Sequence, residues 1–498
     1  MVDSERCGMS KPMDAAGELT SDQQAALSAF VRWLEGPADA GCFVLRGFAG
    51  SGKTYLAMRL LRLADRAGLC WTVVAPTHKA VAVLHRQLER ARLRSTWYPS
   101  TLHRLLRLKL RRVGDQERCE ETAQSALALE HLGLVLIDEA SMVDSQLLEI
   151  TLRAAHPFQT RLVFVGDPAQ LPPVGEAESP VFSLKRAHGA SLGEVVRHQG
   201  PVLRLATGLR QGSLPCRCPP ILAPVRSRLG EVAMLDHPTW LTEAQAALRR
   251  SSAADDPDLA RILCYTNRTI ERLVPIARRA LHGEMADQVP VLPGEVLISR
   301  QAVMAPACHA GAEMAQEPDL VLASNQELLV RDVKPESCDL ASFGVASAET
   351  VIETWQVTVD HGPHQLVLRL QPPIGSAGRQ QLDQALQRLR QEASAAGKSD
   401  GRALWRRFFL LRDAFAALGP AAVLSVHRAQ GSTFEEVFVA ADVFRPSDER
   451  LRRQLAYVAV SRASRRVVMA AEPGSAAARN LWLARLAEQE QRPGWFQG

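Results

Sequence analysis

The sequence predicts an α/β protein of two parallel-sheet lobes with two inserts, and three observations predict it. Short apolar runs that read as buried strands alternate with stretches at helical spacing, first over residues 19–190 and again over 191–298 and 419–498. A glycine-rich turn follows the first strand run, where a doubly wound sheet carries its ligand loops. Residues 299–418 then change character, from β-rich runs to a helical stretch rich in Ala, Leu, Gln and Arg.

With 498 residues, 46% hydrophobic and 23% charged, the chain is long enough for about three or four packed units. Residues 1–18 read as a flexible polar tail with no apolar core, and no later run reaches the length of a membrane span, so a cytoplasmic protein with no membrane partner is expected. The nine cysteines are scattered, and Cys216-Arg217-Cys218 has the wrong spacing for a zinc knuckle, so reduced packing residues are expected. A net charge of +5 permits a polyanionic partner without requiring one.

The first strand run, Cys42-Phe43-Val44-Leu45, leads into Gly47-Phe48-Ala49-Gly50-Ser51-Gly52-Lys53-Thr54. Gly47, Gly50 and Gly52 let backbone N–H groups approach phosphates, with Ser51 inside the loop. Lys53 reaches the β/γ-phosphates, and the Thr54 hydroxyl stands where a magnesium ligand is needed. ATP and Mg2+ are the expected ligands, and nucleoside triphosphate hydrolysis the expected reaction. A second strand, from Trp71, ends in Ala75-Pro76-Thr77-His78-Lys79. Within an insert at 96–123, Arg107–Val113, the turn Gly114-Asp115 and Gln116–Glu121 alternate like a hairpin. Its five basic side chains suit a nucleic-acid backbone or strand junction, or simply a solvated basic surface.

A third run, Leu134-Val135-Leu136-Ile137, ends in Asp138-Glu139. Phosphoryl transfer to water calls for such a pair, Asp138 holding the metal through its water shell and Glu139 orienting and deprotonating the attacking water. Asp144, before Ser145-Gln146-Leu147-Leu148, reads as a helix N-cap. The fourth strand, Arg161–Val165, runs into Gly166-Asp167-Pro168-Ala169-Gln170-Leu171-Pro172, where Gln170 is placed to sense the γ-phosphate.

The second lobe has strand signals at Ile262–Tyr265, Ala422–Val426, Val437–Val439 and Val467–Met469 and no second phosphate loop. One nucleotide in the cleft between lobes is therefore expected. In the second insert, Gln326–Val330 and Ile352–Val359 read as strands, and Arg379–Leu418 as a helical arm broken at Gly397 and Gly401, with Trp405, Phe408 and Phe409 as its core.

The ordered set Ala75–Ala80, Thr101-Leu102-His103, Asp138–Ser141, Gly166–Pro172, Val426-His427-Arg428-Ala429-Gln430-Gly431-Ser432 and Tyr457–Ala463 resembles superfamily 1 helicases. Within them it is similar to the RecD-like and Dda-like branch, which moves 5′ to 3′ on single-stranded DNA. The resemblance covers the chain from Leu19 to about Val468 and implies two RecA-like lobes (19–190, and 191–298 with 419–498), a strand-separating hairpin at 96–123, and an SH3-like accessory domain with its arm at 299–418. It implies that Gln23 reads adenine, with adjacent Gln24 as the alternative, and that Gly431 joins the nucleotide contacts. A cation from the second lobe stabilises the transition state only when the lobes close, and arginine suits that task. Arg462 and Arg197 match the motifs for it, while Arg465 and Arg466 read as a solvated basic stretch.

The same resemblance assigns DNA contacts to Thr77, His78, Lys79, Thr101, His103, His427, Gln430 and Ser432. Thr77 and Ser432 also suit helix caps, and His103 a core position. Aromatics are 5% of residues, so backbone contacts are expected to outweigh stacking. The implied partners are single-stranded DNA and duplex junctions, with a single-stranded-DNA-binding protein or a replication or repair protein beside them, and a monomeric state. The expectation is an ATP-dependent DNA helicase. The alternatives are an RNA or RNA–DNA translocase of the same superfamily, and an ATP-gated DNA-binding remodelling factor that does not unwind.

Overall fold

The computed structural model describes residues 19–37, 41–113, 116–193, 200–304, 320–345, 350–362, 364–396 and 398–487. The tail, the hairpin turn Gly114-Asp115, Gly397 and the segment carrying Arg197 lie outside the described residues. The first lobe is a six-stranded parallel sheet in the spatial order Ser100–Thr101, Trp71–Ala75, Leu134–Ile137, Arg161–Gly166, Phe43–Gly47, His188–Leu192. Its central strands are continuous apolar runs because helices cover both faces. Phe30, Trp33, Leu56 and Leu60 pack on one face, and Leu102, Leu129, Leu148 and Phe164 on the other. The sheet continues past the expected boundary at 190, since His188–Leu192 pairs with Phe43–Gly47 as an edge strand. That run, His-Gly-Ala-Ser-Leu, has almost no apolar signal, because half of an edge strand faces water.

The second lobe is also six-stranded, in the order Val423–Ser425, Ala260–Cys264, Phe434–Val439, Ala463–Ala470, Gly230–Leu235, Leu222–Ser227. All neighbours are parallel except the last pair. The last two strands were missing from the sequence expectation. They form a hairpin with an exposed outer strand, so their alternation is weak. Trp240 closes one side of this sheet, its indole N–H donating to the Val468 carbonyl.

The second insert is a five-stranded antiparallel sheet in the order His364–Arg369, Val351–His361, Glu327–Asp339, Val296–Ser299, Leu418–Pro420. Its first and last strands in sequence are neighbours, Leu297 opposite Pro420, so the insert enters and leaves the second lobe through one paired stem. The arm is two helices, Ala377–Ala395 and Lys398–Asp413, and Trp405, Phe408 and Phe409 pack on one another within it. The first-lobe insert is a two-stranded hairpin, Lys109–Val113 with Gln116–Glu120. Among the described residues no helix is long and apolar enough to cross a membrane.

Candidate nucleotide site and nucleic-acid face

The glycine-rich loop leaves the strand Phe43–Gly47 and opens the helix Lys53–Arg66. Gly50 and Gly52 both sit at φ 82°, a left-handed conformation that strains any side chain. A Cβ on Gly47 would lie 2.6 Å from Ser51 Oγ and 2.9 Å from Lys53 Cγ, so the loop closes only around glycine. The Phe48 carbonyl accepts from Ser51 N–H at 3.1 Å, Ser51 Oγ at 2.9 Å and Lys53 Nζ at 3.0 Å. Gln23 is buried and Gln24 exposed, which answers which glutamine points inward. Gln23 completes a capping box with Thr20 and donates from Nε2 to the Ser51 carbonyl at 3.2 Å, tying the first helix to the phosphate loop.

Asp138 and Glu139 stand at the carboxyl end of Leu134–Ile137, on the strand two places from the loop. Asp138 Oδ1 accepts the Glu139 N–H at 2.9 Å, and burial together with the Glu139 charge pushes the Asp138 carboxyl up to about 7, against the pull of that hydrogen bond and of Lys53. Glu139 itself has φ 52°, a strained backbone at the start of a 3-10 turn. Two crowded carboxylates beside Lys53, with Thr54 in the first turn of the loop helix, fit a divalent cation, whose charge would relieve the repulsion that raises Asp138. Asp144 caps the helix Ser145–Ala155, accepting from Leu147 N–H at 2.7 Å.

The second lobe meets this loop through the helix Glu449–Ser461. The Tyr457 hydroxyl donates to Asp167 Oδ2 at 2.5 Å and accepts the Ala49 N–H at 2.8 Å, joining the phosphate loop to the loop after Arg161–Gly166. Burial and the Asp167 charge hold the phenol well above its usual value, so it stays a donor. Three residues earlier, on the same face, Gln454 Nε2 donates to the Gln170 carbonyl at 3.3 Å. Gln430 Nε2 donates to the Leu171 carbonyl at 3.0 Å. Tyr457 and Gln454 were not among the expected site residues, although Tyr457 opens a quoted motif. Their i, i+3 spacing ahead of Arg462 was the available signal.

Several expected site residues have partners within the protein. Gln430 is buried in the lobe seam, where its amide is held by the Leu171 carbonyl. Gln170 is buried beside the same seam, and among the described residues its Oε1 has no hydrogen-bond partner. Arg462 turns into its own lobe, donating to the Val458 and Ser432 carbonyls and to Ser461 Oγ, because it caps the end of its helix. Ser432 is buried under it. Gly431 lies close to Thr77 Oγ1 and Ala80, from which a Cβ there would be 3.2 Å and 3.1 Å. Arg466 is no solvated residue: it pairs with Glu231, Glu243 and Glu436 across the second sheet.

The expected nucleic-acid contacts of the first lobe gather at the carboxyl ends of Trp71–Ala75 and Ser100–Thr101, which are neighbours in the sheet. Thr77 caps the helix His78–Ala91 and Thr101 caps Leu102–Leu105, each hydroxyl accepting a backbone N–H at 3.3 Å. Burial holds the imidazoles of His78, His103 and His427 below their usual value, so they are neutral near pH 7. The His427 ring lies 6.2 Å from Tyr265. Lys79 is already paired: its ammonium is 2.9 Å from Asp258 of the second lobe and 3.0 Å from Glu327 of the accessory sheet, over the Phe434 ring. Its charge therefore joins three units of the fold.

Residues 18–216 match a family model described as an AAA domain, and residues 420–470 one described as a UvrD-like helicase C-terminal domain. The ATP-dependent DNA helicase dda of Enterobacteria phage T4 is 25% identical over 432 residues, spanning 84% of this chain and 92% of that protein. The ATP-dependent RecD2 DNA helicase of Deinococcus radiodurans is 34% identical over 175 residues, spanning 34% of this chain and 22% of that protein. A Bacteroides Pif1 helicase crystallised with ADP-AlF3 and ssDNA aligns over 95% of this chain and 98% of its own at 15% identity, with a TM-score of 0.45. Two parallel-sheet lobes sharing one phosphate loop, the ordered motifs and the full-length relative agree: the chain belongs to the superfamily 1 DNA helicases, in the RecD-like and Dda-like group.

Proposed function

We propose that this chain is an ATP-driven DNA helicase that moves 5′ to 3′ along a single strand and separates the duplex ahead of it. The observation that carries this reading is the Tyr457 bridge, which makes the phosphate loop of one lobe and a helix of the other parts of one hydrogen-bonded unit. A nucleotide that alters the loop must then act on the position of the second lobe. Support for DNA as the track comes from relatives named as DNA helicases.

In this reading Lys53 and the loop N–H groups hold the β/γ-phosphates, Gln23 orders the loop from behind, and Glu139 positions and deprotonates the attacking water. Thr54 and Asp138 would hold Mg2+, which neutralises charge on the phosphate oxygens when bound. Gln170 and Asp167 report the state of the terminal phosphate to Tyr457 and Gln454. The neutral His78, His103 and His427, with Thr77 and Thr101, line the path of the strand as hydrogen-bonding groups, while Lys79 adds charge only after exchanging its carboxylate partners for a phosphate. The hairpin Lys109–Glu120 stands where a duplex would part.

The test is strand displacement from duplexes carrying a 5′ or a 3′ single-stranded tail, with DNA and RNA versions of each strand. Displacement of DNA from the 5′-tailed duplex alone is expected. Preference for an RNA track would favour the translocase alternative, and ATP turnover without any displacement would favour the remodelling factor.

A further inference from the structure

We propose that Gln146 and Arg153 are positioning residues for strand separation: they brace one foot of the hairpin Lys109–Glu120 against the first lobe, so that the hairpin advances with the lobe as a stiff wedge. This role rests on the helicase reading above and on the place of the hairpin in it. Among the described residues Lys109–Val113 and Gln116–Glu120 pair only with each other, forming a two-stranded ribbon outside every larger sheet. Such a ribbon is marginally stable by itself, so a load on its tip is carried by its two feet. Arg107 is the incoming foot, left-handed at φ 52°, and its carbonyl accepts from Thr122 Oγ1 at 3.3 Å and Ser125 Oγ at 3.4 Å. Those bonds tie the two feet to each other, and Leu108 packs on the first-lobe core.

The outgoing foot is held from outside the ribbon, by the helix Ser145–Ala155. Gln146 Nε2 donates to the Cys119 carbonyl at 3.1 Å. Arg153 grips the Glu121 carboxylate with two donors, Nε to Oε1 at 3.3 Å and Nη2 to Oε2 at 2.5 Å. Two helical turns separate Gln146 from Arg153, so both ties leave one face of the helix. Gln146, Glu149, Ile150 and Arg153 face Glu120 and Glu121 across a cavity of about 420 Å³, so the joint is made of side-chain ties and not of a packed apolar core. An isolated exposed ion pair contributes little, but a two-pronged arginine fork in line with an amide hydrogen bond fixes direction as well as distance.

The bracing helix is itself set by the nucleotide side of the lobe. It follows Asp138-Glu139 in the chain and is capped by Asp144. Its first residue, Ser145, donates its N–H at 2.8 Å to Glu176 Oε1, in the loop that begins with Asp167 and Gln170. The hairpin is thus joined, through Gln146 and Arg153, to a helix whose start is held by the two segments that flank the phosphate loop. A wedge braced in this way moves with those segments, and a wedge cut from the brace does not.

Strand displacement, single-strand-stimulated ATP turnover and thermal melting are measured for the full chain and for Gln146→Ala with Arg153→Ala, Glu121→Gln and Glu149→Gln, on 5′-tailed duplexes rich in A·T or in G·C. The double variant is expected to displace strands about tenfold more slowly while turnover changes less than about twofold, since the lost bonds hold the wedge and touch neither ATP nor the tracked strand. Its loss is expected to be greater on the G·C duplex, because a loosely held wedge advances only where pairs fray. Glu121→Gln is expected to reproduce part of the loss and to add nothing to Arg153→Ala, as for two partners in one contact. Glu149 touches Arg153 but is not on the hairpin, and Glu149→Gln is expected to behave as wild type. Unchanged displacement by the double variant would overturn the proposal, as would an equal fall in displacement and turnover, which marks damage to the lobe. Replacing residues 107–121 by a Gly/Ser turn tests the layer beneath: displacement that survives it would sink the hairpin's role, whereas displacement lost with the hairpin but kept by the double variant would sink the brace alone. A wild-type chain that displaces no strand would sink the helicase reading.

Discussion

Tyr457 and Asp167, 290 positions apart in the chain, share a buried 2.5 Å hydrogen bond across the seam between the two lobes. Asp167 is fully buried, and its other oxygen accepts the N–H of Ala169 at 2.9 Å, so the carboxylate is held on both sides. Because Tyr457 also accepts from Ala49, the three groups form a relay from the phosphate loop through the second lobe to the loop that carries Gln170.

Lys53→Ala is expected to abolish ATP hydrolysis, because the loop loses the cation that reaches the β/γ-phosphates. Glu139→Gln removes the base without removing a phosphate contact. It is expected to keep nucleotide binding while turnover falls by about 10²–10⁴-fold. Steady-state turnover and equilibrium nucleotide binding, measured together, separate the two roles. Loss of binding in Glu139→Gln would make Glu139 a structural residue.

Asp138 predicts a pH dependence. Its native carboxyl titrates near 7 and its unfolded one near 3.8, so the native state holds the extra proton between those values, and this group's contribution to stability declines as pH rises through that window. Magnesium binds the ionised form. The rise in melting temperature produced by Mg2+ with ATP, over ATP alone, is therefore expected to grow from about pH 6 to about pH 8. Asp138→Asn should flatten that rise, and an unchanged slope would contradict the assignment.

Glu327→Gln is expected to tighten single-strand binding. Lys79 now shares its ammonium between Asp258 and Glu327, and a DNA phosphate has to compete with both carboxylates. Removing one charge should raise affinity about two- to fivefold at low salt, with the gain shrinking as salt rises. Fluorescence anisotropy with a labelled oligonucleotide reads the effect directly. Weaker binding would show that Glu327 orients Lys79 productively.

Much of the fold was legible because parallel strands buried on both faces are continuous apolar runs, as in Leu134–Ile137 and Val437–Val439. The edge strands His188–Leu192 and Leu222–Ser227 were not, since exposure on one side removes that signal. At the site, local chemistry such as the glycine turn or Asp138-Glu139 could be read residue by residue. The partners of Lys79 and Gln430 could not, because each depends on how separate units of the fold meet and nothing local in the sequence encodes that contact.

Tyr457 is expected to couple the nucleotide loop to the second lobe's hold on a single strand. The direct measurement is the ratio of single-strand-stimulated to basal ATP turnover in the wild type and in Tyr457→Phe, which removes one oxygen and leaves the ring in the core. Losing a buried hydrogen bond of this kind costs about 1–3 kcal/mol, so the stimulation ratio is expected to fall about tenfold or more while basal turnover and strand binding change little. A Tyr457→Phe protein that keeps the full stimulation ratio would show that this bridge does not couple the two sites.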